Sequence, residues 1–145
     1  MTSSSVVFRK GLDLKDAVAA ELNQNYYSEL VQQIKADDFQ YRSGRLTVHL
    51  AREFGFCYGV DRAVDYAYQT RERFPAHRVF LTGEIIHNPH VNDRLRSKGI
   101  QFLSDVEEGR KPLGPDDVVV LPAFGVTTAE MQRFNDIGCV MVDTT

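Results

Sequence analysis

The residues best suited to chemistry gather first around Cys57, in the run Gly55-Phe56-Cys57-Tyr58-Gly59-Val60-Asp61-Arg62-Ala63. Glycines on either side let the backbone turn sharply and bring N–H groups close to whatever the sulfur holds. Val60, Ala63, Val64, Ala67 and Arg71 follow at helical spacing, so the thiol stands where a helix begins. The partial positive charge of a first helical turn suits an anionic sulfur, whether as a soft metal ligand or as a nucleophile. A lone cysteine is more often a small core residue; the glycine pair and the helix start set Cys57 apart. Cys139 has no such setting: it heads the apolar run Cys139-Val140-Met141-Val142 and reads as core packing.

A second constellation is Gly83-Glu84-Ile85-Ile86-His87-Asn88-Pro89. Asn88 has the side chain of a helix cap, and Pro89 fits the first helical position, where a missing N–H costs nothing. His87 therefore lies just before a helix start, where phosphate and carboxylate groups are favoured and an imidazole can donate to the same anion. His49, His77 and His90 lack comparable context and read as surface or strand residues. The third is Leu121-Pro122-Ala123-Phe124-Gly125-Val126-Thr127, where Gly125 and another helix start could serve an anion.

Strands and helices alternate so as to carry these turns. Leu46, Val48 and Leu50 alternate over a strand at 45–51, and the helix after Cys57 runs to about Arg73, where Phe74-Pro75 closes it. A strand at 78–82 leads to the helix that Asn88 caps and Gly99 ends. A strand at 100–103, a polar loop at 104–116 and the near-continuous apolar strand 117–121 follow. Thr127 to Glu130 has capping-box spacing and opens a helix that stops at Gly138, before the last strand, 139–142. Alternation with short links predicts an α/β fold, a mainly parallel sheet flanked by helices, with all three turns on one edge. Upstream, residues 1–11 read as weakly ordered. Leu14, Val18, Leu22, Tyr26, Leu30 and Ile34 mark helix from Leu12 to about Ile34, broken near Asn23-Gln24-Asn25, and 37–44 reads as a linker. The organisation expected is a helical extension over 1–43, with a packing or partner-binding role, and an α/β lobe over 44–145.

At 145 residues and 43% hydrophobic content, the chain can form a sizeable core. A net charge of −3 gives no reason to expect nucleic acid or an anionic membrane as partner. Two cysteines are too few for a disulfide framework and point to a reducing compartment. Neither a membrane-length apolar run nor a secretory signal is present, so a cytoplasmic location is expected.

Four runs, in order and spacing, resemble the N-terminal part of the 4-hydroxy-3-methylbut-2-enyl diphosphate reductases, the LytB/IspH family of non-mevalonate isoprenoid synthesis. They are Gly55 to Ala63, Glu84 to Asn88, Pro122 to Gly125, and Val142-Asp143-Thr144-Thr145. The likeness covers about residues 44–145, and the helical arm and Ala-Phe-Gly turn look most like the plant and cyanobacterial branch. The resemblance implies one lobe of a three-lobed reductase built around a 4Fe-4S cluster. Three cysteines hold that cluster and leave one iron open for substrate oxygen. The family removes the hydroxyl of an allylic diphosphate with two electrons and two protons, giving isopentenyl and dimethylallyl diphosphates. Cys57 matches the first cluster cysteine and His87 a histidine that binds the substrate diphosphate; Gly59, Asn88, Phe124 and Gly125 fall on the site rim. The implied partners are that substrate and a ferredoxin- or flavodoxin-type electron donor in the bacterial cytoplasm.

Two departures qualify the match. Phe124 stands where many bacterial members carry a histidine, and a phenyl ring donates no hydrogen bond. The family's second cysteine would follow Thr145 at once, with the third cysteine and the catalytic glutamate later still. The expectation is therefore an N-terminal portion of a longer reductase, inactive by itself and holding no catalytic residue of its own. Two other functions fit the residues alone: a thiol hydrolase pairing Cys57 with His87, and a non-catalytic α/β interaction module.

Overall fold

The computed structural model describes residues 5–105 and 111–145. In chain order its elements are β1 (Val7–Phe8), α1 (Lys15–Tyr26), α2 (Glu29–Ala36), β2 (Gln40–Ser43), β3 (Leu46–His49), α3 (Tyr58–Arg73), β4 (Val79–Leu81), α4 (Pro89–Ser97), β5 (Ile100–Phe102), β6 (Val118–Leu121), α5 (Thr128–Ile137) and β7 (Val140–Asp143). Five strands form one sheet in the order β1-β7-β6-β4-β5, and every neighbouring pair is parallel. The α/β reading holds.

The apolar runs explain the centre of that sheet. All of β4 and β6 is buried, as strands covered on both faces must be. Their side chains alternate between two cores. Val118 and Val120 join the cluster formed with Val18 of α1, Ala63, Val64 and Tyr68 of α3, and Val91 and Leu95 of α4. Val119 and Leu121 face the other way, toward Phe134 of α5, Cys139 and Met141. Helices α1, α3 and α4 thus cover one face and α5 the other. Caps fix where the helices start and stop. Asn88 Oδ1 accepts from the N–H groups of His90 and Val91, Thr127 and Glu130 close a capping box, and Gly138 ends α5 at φ 83°.

Four expectations upstream need correction. Within 1–11, read as weakly ordered, Val7–Phe8 is an edge strand beside β7; Phe8 also packs edge-on against Phe74, ring centroids 6.0 Å apart. The helical arm breaks at Tyr27-Ser28 rather than at 23–25: Asn25 stays helical and donates to the Tyr68 hydroxyl, while Ser28 caps α2. The supposed linker supplies β2, and the strand expected at 45–51 is β3, its antiparallel partner. That pair is a separate exposed hairpin, not part of the parallel sheet. Gly44, at φ 59° in a two-residue turn, is the residue that a type II′ connection asks for, so β3 pairs with its nearest neighbour in sequence. The polar loop expected at 104–116 lies partly outside the described residues; Leu103–Asp105 is a short 3₁₀ turn.

Candidate functional site

Parallel pairing places the C-terminal ends of β4, β6 and β7 on one edge of the sheet. The turn after β4 carries Gly83 to Asn88 into α4, and the turn after β6 carries Pro122 to Thr127 into α5. Cys57 reaches this edge on the start of α3 rather than on a strand. Two contacts show it. A Cβ on Gly59 would lie 3.8 Å from Ala123 Cβ, and Arg62 Nη1 donates to the Thr145 carbonyl at 2.7 Å.

Cys57 is exposed and occupies the cap position of α3 with extended backbone and no side-chain cap bond. Among the described residues the first-turn amides of α3 have no side-chain acceptor, unlike those of α4 and α5. Gly55, at φ 107°, makes the preceding bend, a conformation closed to L side chains. His87 projects from the second turn with its side chain 97% exposed, and its Nδ1 pairs with Glu84 Oε2 at 2.6 Å. With Nδ1–H given to Glu84, a protonated ring keeps Nε2–H free for an anion. Asn88 spends its side-chain oxygen on the cap. Phe124 is 80% exposed, and Gly125 beside it sits at φ 77°. Between the second and third turns opens a cleft of about 420 Å³, lined by Thr82, Gly83, Phe124, Gly125 and Thr127. Thr82 Oγ1 is buried there without a hydrogen-bond partner among the described residues.

The three turns thus share one edge, and Gly59 meets the third turn directly. Among the described residues no hydrogen bond joins Cys57 and His87; the side-chain partner of His87 is Glu84. The nucleophile–base pair of a thiol hydrolase is not formed. Electrostatics sharpen the third turn. The Thr127 hydroxyl and N–H both donate to Glu130, and these bonds hold its carboxyl below the usual carboxylate range. Cys139 lies at the opposite pole of behaviour: it is fully buried, donates to the Gly114 carbonyl, and burial pushes its thiol up.

Arg62 is the positioning residue that periodicity missed. Besides Thr145 it donates to the Arg9 carbonyl at 3.1 Å and lies 5.0 Å from the Tyr66 ring centroid. It ties α3 to both β1 and the end of β7. It lies within the Gly55 to Ala63 run, but nothing in the run assigned it this role, because its carbonyl partners are 53 and 83 residues away.

An iron–sulfur cluster takes three or four protein ligands. Among the described residues no group of three His, Cys, Asp or Glu side chains is placed to hold a metal ion. Cys57 offers one exposed thiol, and Cys139 faces the interior. These residues therefore fit one corner of such a cluster, not a complete set.

These features define an α/β protein with a parallel sheet whose thiol, imidazole and glycine turn lie at the C-terminal strand edge, where such sheets bind their ligands. Comparison with known proteins narrows this. Residues 48–145 match the family model for LytB protein, and the chain belongs to that family. A 4-hydroxy-3-methylbut-2-enyl diphosphate reductase of Microcystis aeruginosa is 48% identical over 140 residues, 94% of this chain and 35% of the relative. Its counterpart in Thermosynechococcus vestitus is 47% identical over 145 residues, 99% of this chain and 36% of the relative. A solved structure of (E)-4-hydroxy-3-methyl-but-2-enyl diphosphate reductase, described as the terminal enzyme of the non-mevalonate pathway, aligns with a TM-score of 0.54 at 28% identity. That alignment covers 66% of this chain and 32% of the other. The chain spans about a third of the length of these relatives.

Proposed function

We propose that this chain is the N-terminal portion of an iron–sulfur reductase that converts 4-hydroxy-3-methylbut-2-enyl diphosphate to isopentenyl and dimethylallyl diphosphates. Residues 44–145 are its first lobe, and residues 1–43 are an extension that lends β1 to the lobe's sheet. The observation that carries the reading is the exposed Cys57 thiol at an uncapped helix start, on the same sheet edge as the His87 and Phe124 turns. Cys57 is one ligand of a 4Fe-4S cluster. That cluster, completed by cysteines from the remainder of a full-length reductase, would relay the donor's electrons and offer a Lewis-acidic iron.

The chain's own residues bind and orient. His87, oriented by Glu84, donates Nε2–H to the substrate diphosphate. The first-turn amides of α3 face anionic groups at the Cys57 edge. Asn88 and Gly125 line the rim. Phe124 donates nothing, so its ring packs against the hydrocarbon part of the substrate and excludes water. A ferredoxin- or flavodoxin-type protein delivers the electrons, and the reaction belongs to the bacterial cytoplasm. Among the described residues no helix is long and apolar enough to cross a membrane.

The test is anaerobic reconstitution with iron and sulfide. It compares this chain with a chimera that continues it with the remainder of the Microcystis aeruginosa relative. The chimera should gain a broad visible absorption band and reduce the allylic diphosphate; this chain alone should do neither. Cys57→Ser in the chimera should abolish the band, whereas His87→Ala should keep the band and raise KM. A Cys57→Ser chimera with an intact cluster would sink the assignment.

A further inference from the structure

We infer that the N-terminal helical arm is the positioning device for Cys57, acting through Tyr26 and Phe56. Residues 51–56 adopt no helix or strand, and among the described residues none of them takes part in a backbone hydrogen bond. Of the whole stretch 51–57 only Phe56 is withdrawn from solvent. The approach to Cys57 is therefore held by side chains: Phe56 packs against the main core, and the ring and charge contacts of Arg52, Phe54 and Phe56 reach residues upstream of β3. The Phe56 ring packs on Tyr26, the last residue of α1, with centroids 5.6 Å apart and planes at 59°. The Lys35 ammonium of α2 lies 4.8 Å from the Phe54 ring centroid. Arg52 lies 5.2 Å from the Phe39 ring centroid and 3.5 Å from an Asp38 oxygen.

The exposed contacts contribute little, since a solvated ion pair or cation–π contact is weak. The Tyr26–Phe56 contact is the one with a rigid footing. Tyr26 is also packed edge-on to Tyr68, centroids 6.0 Å apart, and their hydroxyls share a hydrogen bond of 3.2 Å. Tyr68 is fully buried, receives a second bond from Asn25, and belongs to α3, the helix that Cys57 opens. A closed ring of contacts results: Cys57 to α3, α3 through Tyr68 to Tyr26, and Tyr26 through Phe56 back to the residue before Cys57. It fixes the loop on one side of the thiol as the helix fixes the other. The bearing on catalysis rests on Cys57 being a cluster ligand; the local order of Cys57 does not.

A spin label tests it on the 145-residue chain. A thiol-specific nitroxide reacts at exposed Cys57 and not at buried Cys139. The unsubstituted chain should give a motionally restricted spectrum. Tyr26→Ala and Phe56→Ala should each move it toward fast nanosecond motion. Tyr26→Phe, which keeps the ring and loses only the hydroxyl, should restore the restricted spectrum. Val18→Ala is the control: it removes core packing from α1 and should lower the melting temperature with the spectrum unmoved. Phe56 is only half-buried, so its variant keeps the test alive if Tyr26→Ala does not fold. An unchanged spectrum in Phe56→Ala, or an equal change in Val18→Ala, would overturn the proposal. Neither result bears on iron binding, which the chimera measures separately.

Discussion

Strands β3 and β6 look alike in sequence and end in opposite surroundings. Each is a run with aliphatic residues that leads into a glycine-containing turn and then a helix. Every residue of β6 is fully buried, paired to β4 on one side and β7 on the other. β3 is exposed throughout, with Leu46 at 71% and Val48 at 48%. What separates them is the neighbours on offer. The edge of β7 is taken by Val7–Phe8, whereas Gly44 lets β3 close on β2 after two residues, at small loop-closure cost. A strand's place is decided by which edge is free and how far away it lies, not by the turn and helix downstream of it.

The sharpest way to break the comparison is to shave apolar atoms from each region. Phe134→Ala, under the β6 face, should lower the unfolding free energy by about 3–5 kcal/mol. Val48→Ala should stay within about 0.5 kcal/mol. Urea melts measure both. A loss above about 1.5 kcal/mol for Val48→Ala would mean that β3 is covered in solution and the contrast is false. The edge strand gives the next largest effect. Phe8→Ala should cost about 2 kcal/mol, below the full core value because the ring is only half-buried. It should also speed exchange of the Met141 amide, which donates to the Val6 carbonyl at 2.8 Å. Unchanged exchange there would show that β1 does not guard the β7 edge.

The same contrast explains how much could be read in advance. The runs Val79–Leu81 and Val118–Leu121, the Asn88 and Thr127 caps and the Gly138 stop were legible because their partners lie within a few residues or their pattern admits one environment. The placement of 46–50 was not, because period-two alternation is as consistent with a hairpin as with a sheet strand. Val7–Phe8 is too short to carry any period. At the site, Cys57 and His87 were readable as residues at helix starts. Their common edge followed from the α/β pattern, but the means by which Cys57 reaches it did not. Arg62, Tyr26 and Phe56 act through contacts across large sequence distances, and those leave no local signature.

Turn order at the third site segment rests on a cap as well as on the sheet, unlike the loop before Cys57. Thr127→Ala should cost about 1 kcal/mol, with a pH signature. The bonds from Thr127 hold the Glu130 carboxyl below its ordinary value of 4.5. A group depressed in the folded state stabilises above its unfolded pKa, and that contribution fades as pH falls through the folded value. The stability gap between Thr127→Ala and the unsubstituted chain should therefore be constant at neutral pH and shrink on acidification below about pH 4.5. Chemical denaturation at a series of pH values reads it, and a gap that widened in acid would remove the cap from the account.

The smallest effect asks whether the Cys57 edge is built for this chain or for something that sits against it. Gly59 lies in the first turn of α3, outside the left-handed region, and an added Cβ would make ordinary contact with Ala123 at 3.8 Å. Gly59→Ala should therefore stabilise the 145-residue chain slightly, by about 0.5 kcal/mol, through helix propensity and a less flexible unfolded state. In the reconstituted chimera the same methyl projects toward the edge assigned to the cluster and substrate, where close backbone approach has a use. Lower iron content or a higher KM there, beside a raised urea midpoint here, would show glycine serving the site rather than the fold. A loss of more than about 1 kcal/mol in the short chain would instead mean that α3 and the third turn already touch too tightly for a methyl. The junction would then be a packing constraint of the sheet edge itself.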